Sequence, residues 1–389
     1  MRPLIILGTG LAGYTLAREY RKLNAERELV LISQDDGRSY SKPMLSNGLS
    51  KGKTADAIAM ASAADMATQL KATVHSHVAV TLIDRAAQTV TVQAADGSSE
   101  TLAYGDLVLA VGADVFRPPL GGNGGERVYT VNDLEDYVRF RTAIGDNGKR
   151  VLIIGGGLIG CEFANDLSAS GFAVELVEPM GRPLPTLLPE RASAAVEDGL
   201  RSLGVNFHFA GVTAVDLAGD GVLVTLSDGK TVSADVVLSA IGLRPRVALA
   251  QAAGLETARG IVTDRLLRTS DEHIYALGDC AEVSGKVLMY VLPLMAAARA
   301  LAKTLAGEAT PVSYPAMPVQ IKTPICPIVV SPVAPNTEGA WEVEADGANV
   351  KASFRAANGD LLGFALTGSY ATDMKVKSEM AKALPAILA

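Results

Sequence analysis

The pattern Gly-x-Gly-x-x-Gly occurs twice, at Gly8, Gly10 and Gly13 and again at Gly155, Gly157 and Gly160. Each copy follows a short apolar run, Leu4–Leu7 or Val151–Ile154, and precedes a helix-compatible stretch. Runs of that length and composition bounded by glycine read as buried strands. In a strand–turn–helix of this kind the first glycine allows the tight bend. The second lets a pyrophosphate approach the backbone, and the third lets the helix pack on the strand. The helix N-terminus then offers unpaired N–H groups and a positive partial charge. A single copy is a weak signal, because glycines punctuate loops for many reasons. Two copies in the same context, each with a second strand at the right distance, point to two dinucleotide sites in one chain.

The ends of those second strands separate the two ligands. "AVELVE" closes on Glu178, about 20 residues beyond its glycine loop, where a carboxylate accepts from both ribose hydroxyls and repels a 2′-phosphate. The nearest basic residue is Arg182, so this site reads as selective for NADH over NADPH. In the first copy "LVLI" runs into Ser33 and Gln34, and the acids Asp35 and Asp36 come two residues late. Ser33 and Gln34 are left to contact that ribose, with Asp35 reaching it through water.

Around these loops the chain repeats itself: strand, glycine turn, helix, strand, β-hairpin, and an exit strand ending "AVGA" or "AIGL". The expected fold is α/β, with two Rossmann-like units and a small α+β C-terminal domain whose short antiparallel strands lead into one amphipathic helix from about Thr372. The first unit takes residues 1–112 and, after an excursion, 243–318; the second takes 113–242, and the last domain 319–389. A chain of 389 residues is long enough for two or three domains. The first strand begins by residue 3, which leaves no room for a secretory signal, so a cytoplasmic location is expected. The apolar stretch around 290–306 is interrupted by Pro293 and Arg299 and reads as a buried helix rather than a membrane span.

Three cysteines, Cys161, Cys280 and Cys326, form no C-x-x-C and read as buried, inert thiols. His75 and His77 are the one close histidine pair among four, without neighbouring ligands, so no metal site is expected. A net charge of −7 makes nucleic acid and anionic membranes poor partners. A monomer or weak dimer is expected.

Gly8-Thr9-Gly10-Leu11-Ala12-Gly13, "VLAVGA", the second glycine loop, "AIGLRP" and "TSDEHIYALGD" together resemble the FAD-dependent pyridine-nucleotide disulfide oxidoreductases, over the whole chain and with a glutathione-reductase-like fold. The resemblance implies FAD, tightly bound, at the first site and exchanging NADH at the second. In that family the acid of the "GD" element, here Asp279, holds the flavin's ribityl chain. Disulfide reductases of the group carry paired cysteines beside the flavin, and oxidases and peroxidases carry one. This chain has "SYSKPMLSNG" there and no cysteine before residue 161. Reduced flavin must then hand its electrons directly to an acceptor.

"YSKPMLS", "GGGLIGCE", "YALGDCAE" and "VQIKTP" narrow the resemblance to the rubredoxin reductases and the related enzymes that reduce flavorubredoxin. The implied partner is rubredoxin or a rubredoxin-like iron protein. The competing readings are an NADH:ferredoxin reductase of an oxygenase system and a redox-regulated, non-enzymatic flavoprotein of the apoptosis-inducing-factor type. Carried over by position, Thr9, Gly10, Leu11, Ala12, Ser33, Gln34, Lys42 and Val80 line FAD, with Asp279, Val291 and Lys322. Gly155, Gly157, Leu158, Ile159, Gly160 and Glu178 hold the nicotinamide nucleotide, and Glu162 faces the junction of the two. Two expectations go further: that Lys42 and Glu162 form an ion pair beside the flavin, and that Arg38, Lys42, Lys51, Lys53 and Lys322 form a docking patch for the acceptor.

Overall fold

Two five-stranded parallel sheets, built to one plan, form the body of the molecule. The structure, a computed structural model, describes residues 2–145 and 148–389. In the first sheet Leu4–Leu7 is central, flanked by Leu29–Ile32 and Asp106–Leu109, with Thr73–His75 and Ile274–Ala276 at the edges. In the second Arg150–Ile154 is central, flanked by Ala173–Val177 and Val236–Ser239, with Asn206–His208 and Val128–Tyr129 outermost. Leu4–Leu7 and Val151–Ile154 are buried at every position, as strands covered on both faces are. In each sheet the chain leaves the central strand at the point where the strand order reverses, and the glycine loop occupies that crevice.

Each unit also carries an antiparallel sheet. The expected hairpins have three strands each: Val78–Asp84, Thr89–Ala94 and Ser99–Ala103 in one, Val212–Ala218, Gly221–Leu226 and Thr231–Ala234 in the other. A two-stranded ribbon alone is marginal in water, and the third strand adds a buried face. The helix Ala63–Leu70 and the edge strand after it escaped the sequence pattern, because only Met66 and Leu70 of the helix are buried. A capping box fixes its start: Asp65 N–H donates to Ser62 Oγ at 3.1 Å and Ser62 N–H to Asp65 Oδ2 at 3.0 Å.

The chain passes between the two units along Ala113–Val115 and returns along Leu243–Pro245, and these segments pair antiparallel. After the return, helix Val291–Leu305 packs against helix Leu11–Leu23 in the first core, its buried Ala297, Ala298 and Ala302 allowing close approach. The last unit is a five-stranded antiparallel sheet in the order Val319–Ile321, Ile328–Ser331, Leu361–Thr367, Asn349–Arg355, Ala340–Asp346. Where one terminal helix was expected there are two, Gly368–Thr372 and Met374–Lys382. Asp373 interrupts the run and caps the second, accepting from the N–H groups of Lys375 at 2.7 Å and Val376 at 3.2 Å. Ile321, Cys326, Ile328, Val350 and Ala365 share one core with the second Rossmann-like unit. Among the described residues no helix is long and apolar enough to cross a membrane.

Candidate functional site

The two glycine loops divide their labour in the same way. A Cβ on Gly8 would stand 2.3 Å from the carbonyl oxygen of Ala110, and one on Gly13 1.9 Å from that of Gly8. In the second copy a Cβ on Gly155 would lie 2.8 Å from the Ala240 oxygen, and one on Gly160 1.8 Å from the Gly155 oxygen. Gly8 and Gly155 also adopt φ of +113° and +102°, which side chains with a Cβ resist. Gly10 and Gly157 differ: a Cβ there would meet nothing within 4 Å. They are the N-caps of helices Leu11–Leu23 and Leu158–Ala169, and neither helix has a side-chain cap. Open space above uncapped N–H groups is what a pyrophosphate requires, so both loops fit the dinucleotides implied by the sequence. Leu11, Ala12, Leu158 and Ile159 form the first turns of those helices.

At the first site the late acid is brought back by a turn. Thr9 Oγ1 donates to Ser33 Oγ at 2.7 Å, and Ser33 Oγ donates in turn to Asp35 Oδ1. The same carboxylate oxygen accepts from Gly37 N–H at 2.9 Å. Asp35 therefore stands directly against the serine at the strand end, whereas Gln34 is exposed. Val78 N–H donates to the Ser33 carbonyl at 2.9 Å, which brings half-buried Val80 and its strand beside the same strand end. At the second site Glu178 is only 6% exposed. Its Oε2 accepts from Gly156 N–H at 2.8 Å and its Oε1 from Met180 N–H at 2.9 Å, so it also braces the glycine loop.

The junction of the units holds a different ion pair from the one expected. Glu162, 1% exposed, accepts from Lys322 Nζ at 2.8 Å and from the Lys322 backbone N–H at 2.8 Å. Lys322 Nζ also donates to the Pro43 carbonyl at 2.7 Å, and Ser46 Oγ donates to Glu162. Lys42 instead faces Asp279, Nζ to Oδ2 3.7 Å. The expected Lys42–Glu162 pair is thus replaced by two pairs, Lys322–Glu162 and Lys42–Asp279. The cause is the 3₁₀ turn Lys42–Met44, which carries Lys42 toward the Gly278–Cys280 turn while Ser46 and Pro43 face the helix bearing Glu162. Burial pushes the Lys42 ammonium below the ordinary lysine range, and neighbouring Asp279 opposes that shift. Val291 opens helix Val291–Leu305 with no side-chain cap, leaving first-turn N–H groups for a ligand. Ser46 is a site residue that sequence reasoning did not assign a contact. Asp35, expected only to reach the ribose through water, is tied to Ser33; the Asp-x-Gly spacing of its turn to Gly37 was the available signal.

The thiols take no part. Cys161, Cys280 and Cys326 are buried, and burial raises all three, Cys280 to about 11, so none is thiolate near neutrality. The described residues contain no cluster of three or more potential metal ligands. The cationic patch is smaller than expected. Arg38 is tied to Asp36 and to Asp56 at 2.7 Å, and Lys42 and Lys322 are paired as above. Lys51, which donates to Asn47 Oδ1 at 3.0 Å, and Lys53 are the members without an ionic partner among the described residues.

Residues 2–302 match the family described as pyridine nucleotide-disulphide oxidoreductase, and residues 311–384 match one described as rubredoxin binding C-terminal domain. The chain is 58% identical over 390 residues to a rubredoxin-NAD(+) reductase of Alcanivorax borkumensis, covering 100% of both chains. It is 41% identical to a nitric oxide reductase FlRd-NAD(+) reductase of Aeromonas salmonicida, covering 94% of this chain and 93% of the relative. Among solved structures, a covalent putidaredoxin reductase–putidaredoxin complex superposes with a TM-score of 0.87 at 26% identity, covering 99% of this chain and 94% of that one.

Proposed function

The chain belongs to the pyridine nucleotide-disulphide oxidoreductase family, and within it we propose that it is an NADH-dependent rubredoxin reductase with FAD resident at the first glycine loop. The observation that carries this reading is the composition of the loop facing Asp279. It presents Lys42 where a disulfide reductase needs a thiol, and the nearest cysteines are buried and protonated. When bound, FAD supplies the conversion of a two-electron donor's equivalents into single-electron steps. The protein's contribution is binding and orientation. Gly8–Gly13 with Thr9, Ser33 and Asp35 would hold one adenosine and pyrophosphate; Asp279, Lys42 and the start of helix Val291–Leu305 would hold the remainder of the flavin nucleotide. Gly155–Gly160 and Glu178 would hold NADH, with Glu178 accepting from the ribose and disfavouring a 2′-phosphate. Lys322 and Glu162 close the space between the units.

The relative that carries the FlRd name keeps a flavorubredoxin-type acceptor as a second reading. The test is side-by-side stopped-flow reduction of a rubredoxin, a flavorubredoxin and a [2Fe–2S] ferredoxin by the NADH-reduced protein. Rubredoxin is expected to be reduced fastest. Preferential reduction of the ferredoxin would overturn the reading.

A further inference from the structure

We propose that Asp166 is a positioning residue for flavin reduction, anchoring the loop that carries Lys42 to the helix that receives the nicotinamide nucleotide. The proposal rests on the reading above, with FAD at the first site and NADH at the second. Helix Leu158–Ala169 is buried at every position from Gly160 to Leu167. Along that stretch it nevertheless places three polar side chains, Glu162, Asn165 and Asp166, at spacings that share one helix face. Asn165 Oδ1 accepts from Ile325 N–H at 3.1 Å, and Glu162 binds Lys322, so those two hold the C-terminal unit.

Asp166 points its contacts elsewhere. It is 2% exposed, and its Oδ2 accepts from Leu49 N–H at 2.9 Å. Its Oδ1 accepts from Ser50 N–H at 3.0 Å and from Ser50 Oγ. All three donors belong to the segment that continues from Lys42. Burying a carboxylate is costly unless its oxygens are satisfied, and here one short segment satisfies them.

That segment has little regular structure of its own. Between Lys42 and Ser50 its regular structure is the single 3₁₀ turn Lys42–Met44. Leu45 packs with Leu134 and Tyr137 of the second unit, and Lys322 holds the Pro43 carbonyl. To helix Leu158–Ala169 the segment makes two polar attachments, Ser46 to Glu162 at its middle and Leu49 with Ser50 to Asp166 at its end. The same helix begins at Gly157, the open glycine over which a pyrophosphate would lie. One helix therefore carries the nucleotide's anchor and holds the far end of the loop that lies against Asp279. Letting the loop drift would change the approach of the two rings without removing any group that touches either.

The experiment compares FAD-loaded wild type, D166A and S50A by amide hydrogen exchange and by anaerobic stopped-flow reduction with NADH. Faster exchange at Leu49 and Ser50 is expected in D166A, with the limiting rate of flavin bleaching lowered by about tenfold or more and the Kd for NADH within about twofold of wild type, as expected when geometry rather than binding is lost. S50A removes one hydroxyl from an exposed residue and keeps the test alive if D166A does not fold. It is expected to lower the limiting rate by about twofold or more in the same pattern. An unchanged limiting rate alongside faster exchange, or a loss confined to NADH affinity or FAD retention, would overturn the proposal. A wild type that NADH does not bleach would remove the premise and the proposal together; a normally bleached wild type beside an unaffected D166A would remove the proposal alone.

Discussion

Glu162 is almost fully buried, and its partner Lys322 keeps about a third of its side chain, 33%, in solvent. Removing the lysine leaves a buried charge supported only by Ser46 and a backbone N–H, which is worse than removing both. K322A is therefore expected to lower unfolding free energy by about 1–3 kcal/mol, less than for a fully buried pair because Lys322 is partly exposed. K42A should leave that stability near wild type, and urea denaturation of the two variants separates the pairings. An equal loss in both would contradict the assignment of the greater stabilisation to the buried Glu162 pair over the more exposed Lys42–Asp279 pair. Glu178 makes a second residue-scale claim. E178A is expected to erode the preference for NADH over NADPH by about tenfold or more, from loss of about 1–3 kcal/mol of charge-assisted hydrogen bonding, measured as a ratio of kcat/KM values. Glu178 was legible in the sequence because its role depends on local spacing from Gly155. The Lys322–Glu162 pair was not, because its members lie 160 residues apart and meet only through tertiary packing.

The glycine-headed helices carry the distinction between the two sites. A methyl on Gly13 or Gly160 would press on the carbonyl of Gly8 or Gly155 and push its helix off its strand. G13A is expected to yield protein deficient in flavin absorbance. G160A should retain the flavin spectrum and lose its bleaching by NADH. The opposite pattern, or loss of flavin in both, would reverse or merge the assigned sites. Strands and helices of the repeat could be read from the sequence because apolar runs and glycine turns are local signals. Helix Ala63–Leu70 could not, since it buries only one edge, nor could the break at Asp373, where a capping carboxylate outweighs a continuous amphipathic pattern.

At the scale of the whole molecule, a chain of net charge −7 can steer an anionic acceptor only through a local cationic surface. The positions of the cations were visible in the sequence, but their partners were not, and the structure leaves Lys51 and Lys53 without counter-ions among the described residues. Reversing both, K51E with K53E, is expected to lower the rate constant for acceptor reduction by about tenfold at low salt. The difference should shrink as the Debye length falls below about 10 Å above 0.1 M, with the rate of flavin reduction by NADH unchanged. A salt-independent acceptor rate would assign docking to apolar contacts. The whole scheme, one dinucleotide held and one exchanged with electrons leaving singly, is tested most directly by anaerobic titration followed in the visible spectrum. One equivalent of NADH should bleach one flavin per chain, and two equivalents of oxidised rubredoxin should restore it. A chain purified without flavin, a flavin that NADH leaves oxidised, or a reduced flavin that rubredoxin cannot reoxidise would contradict it.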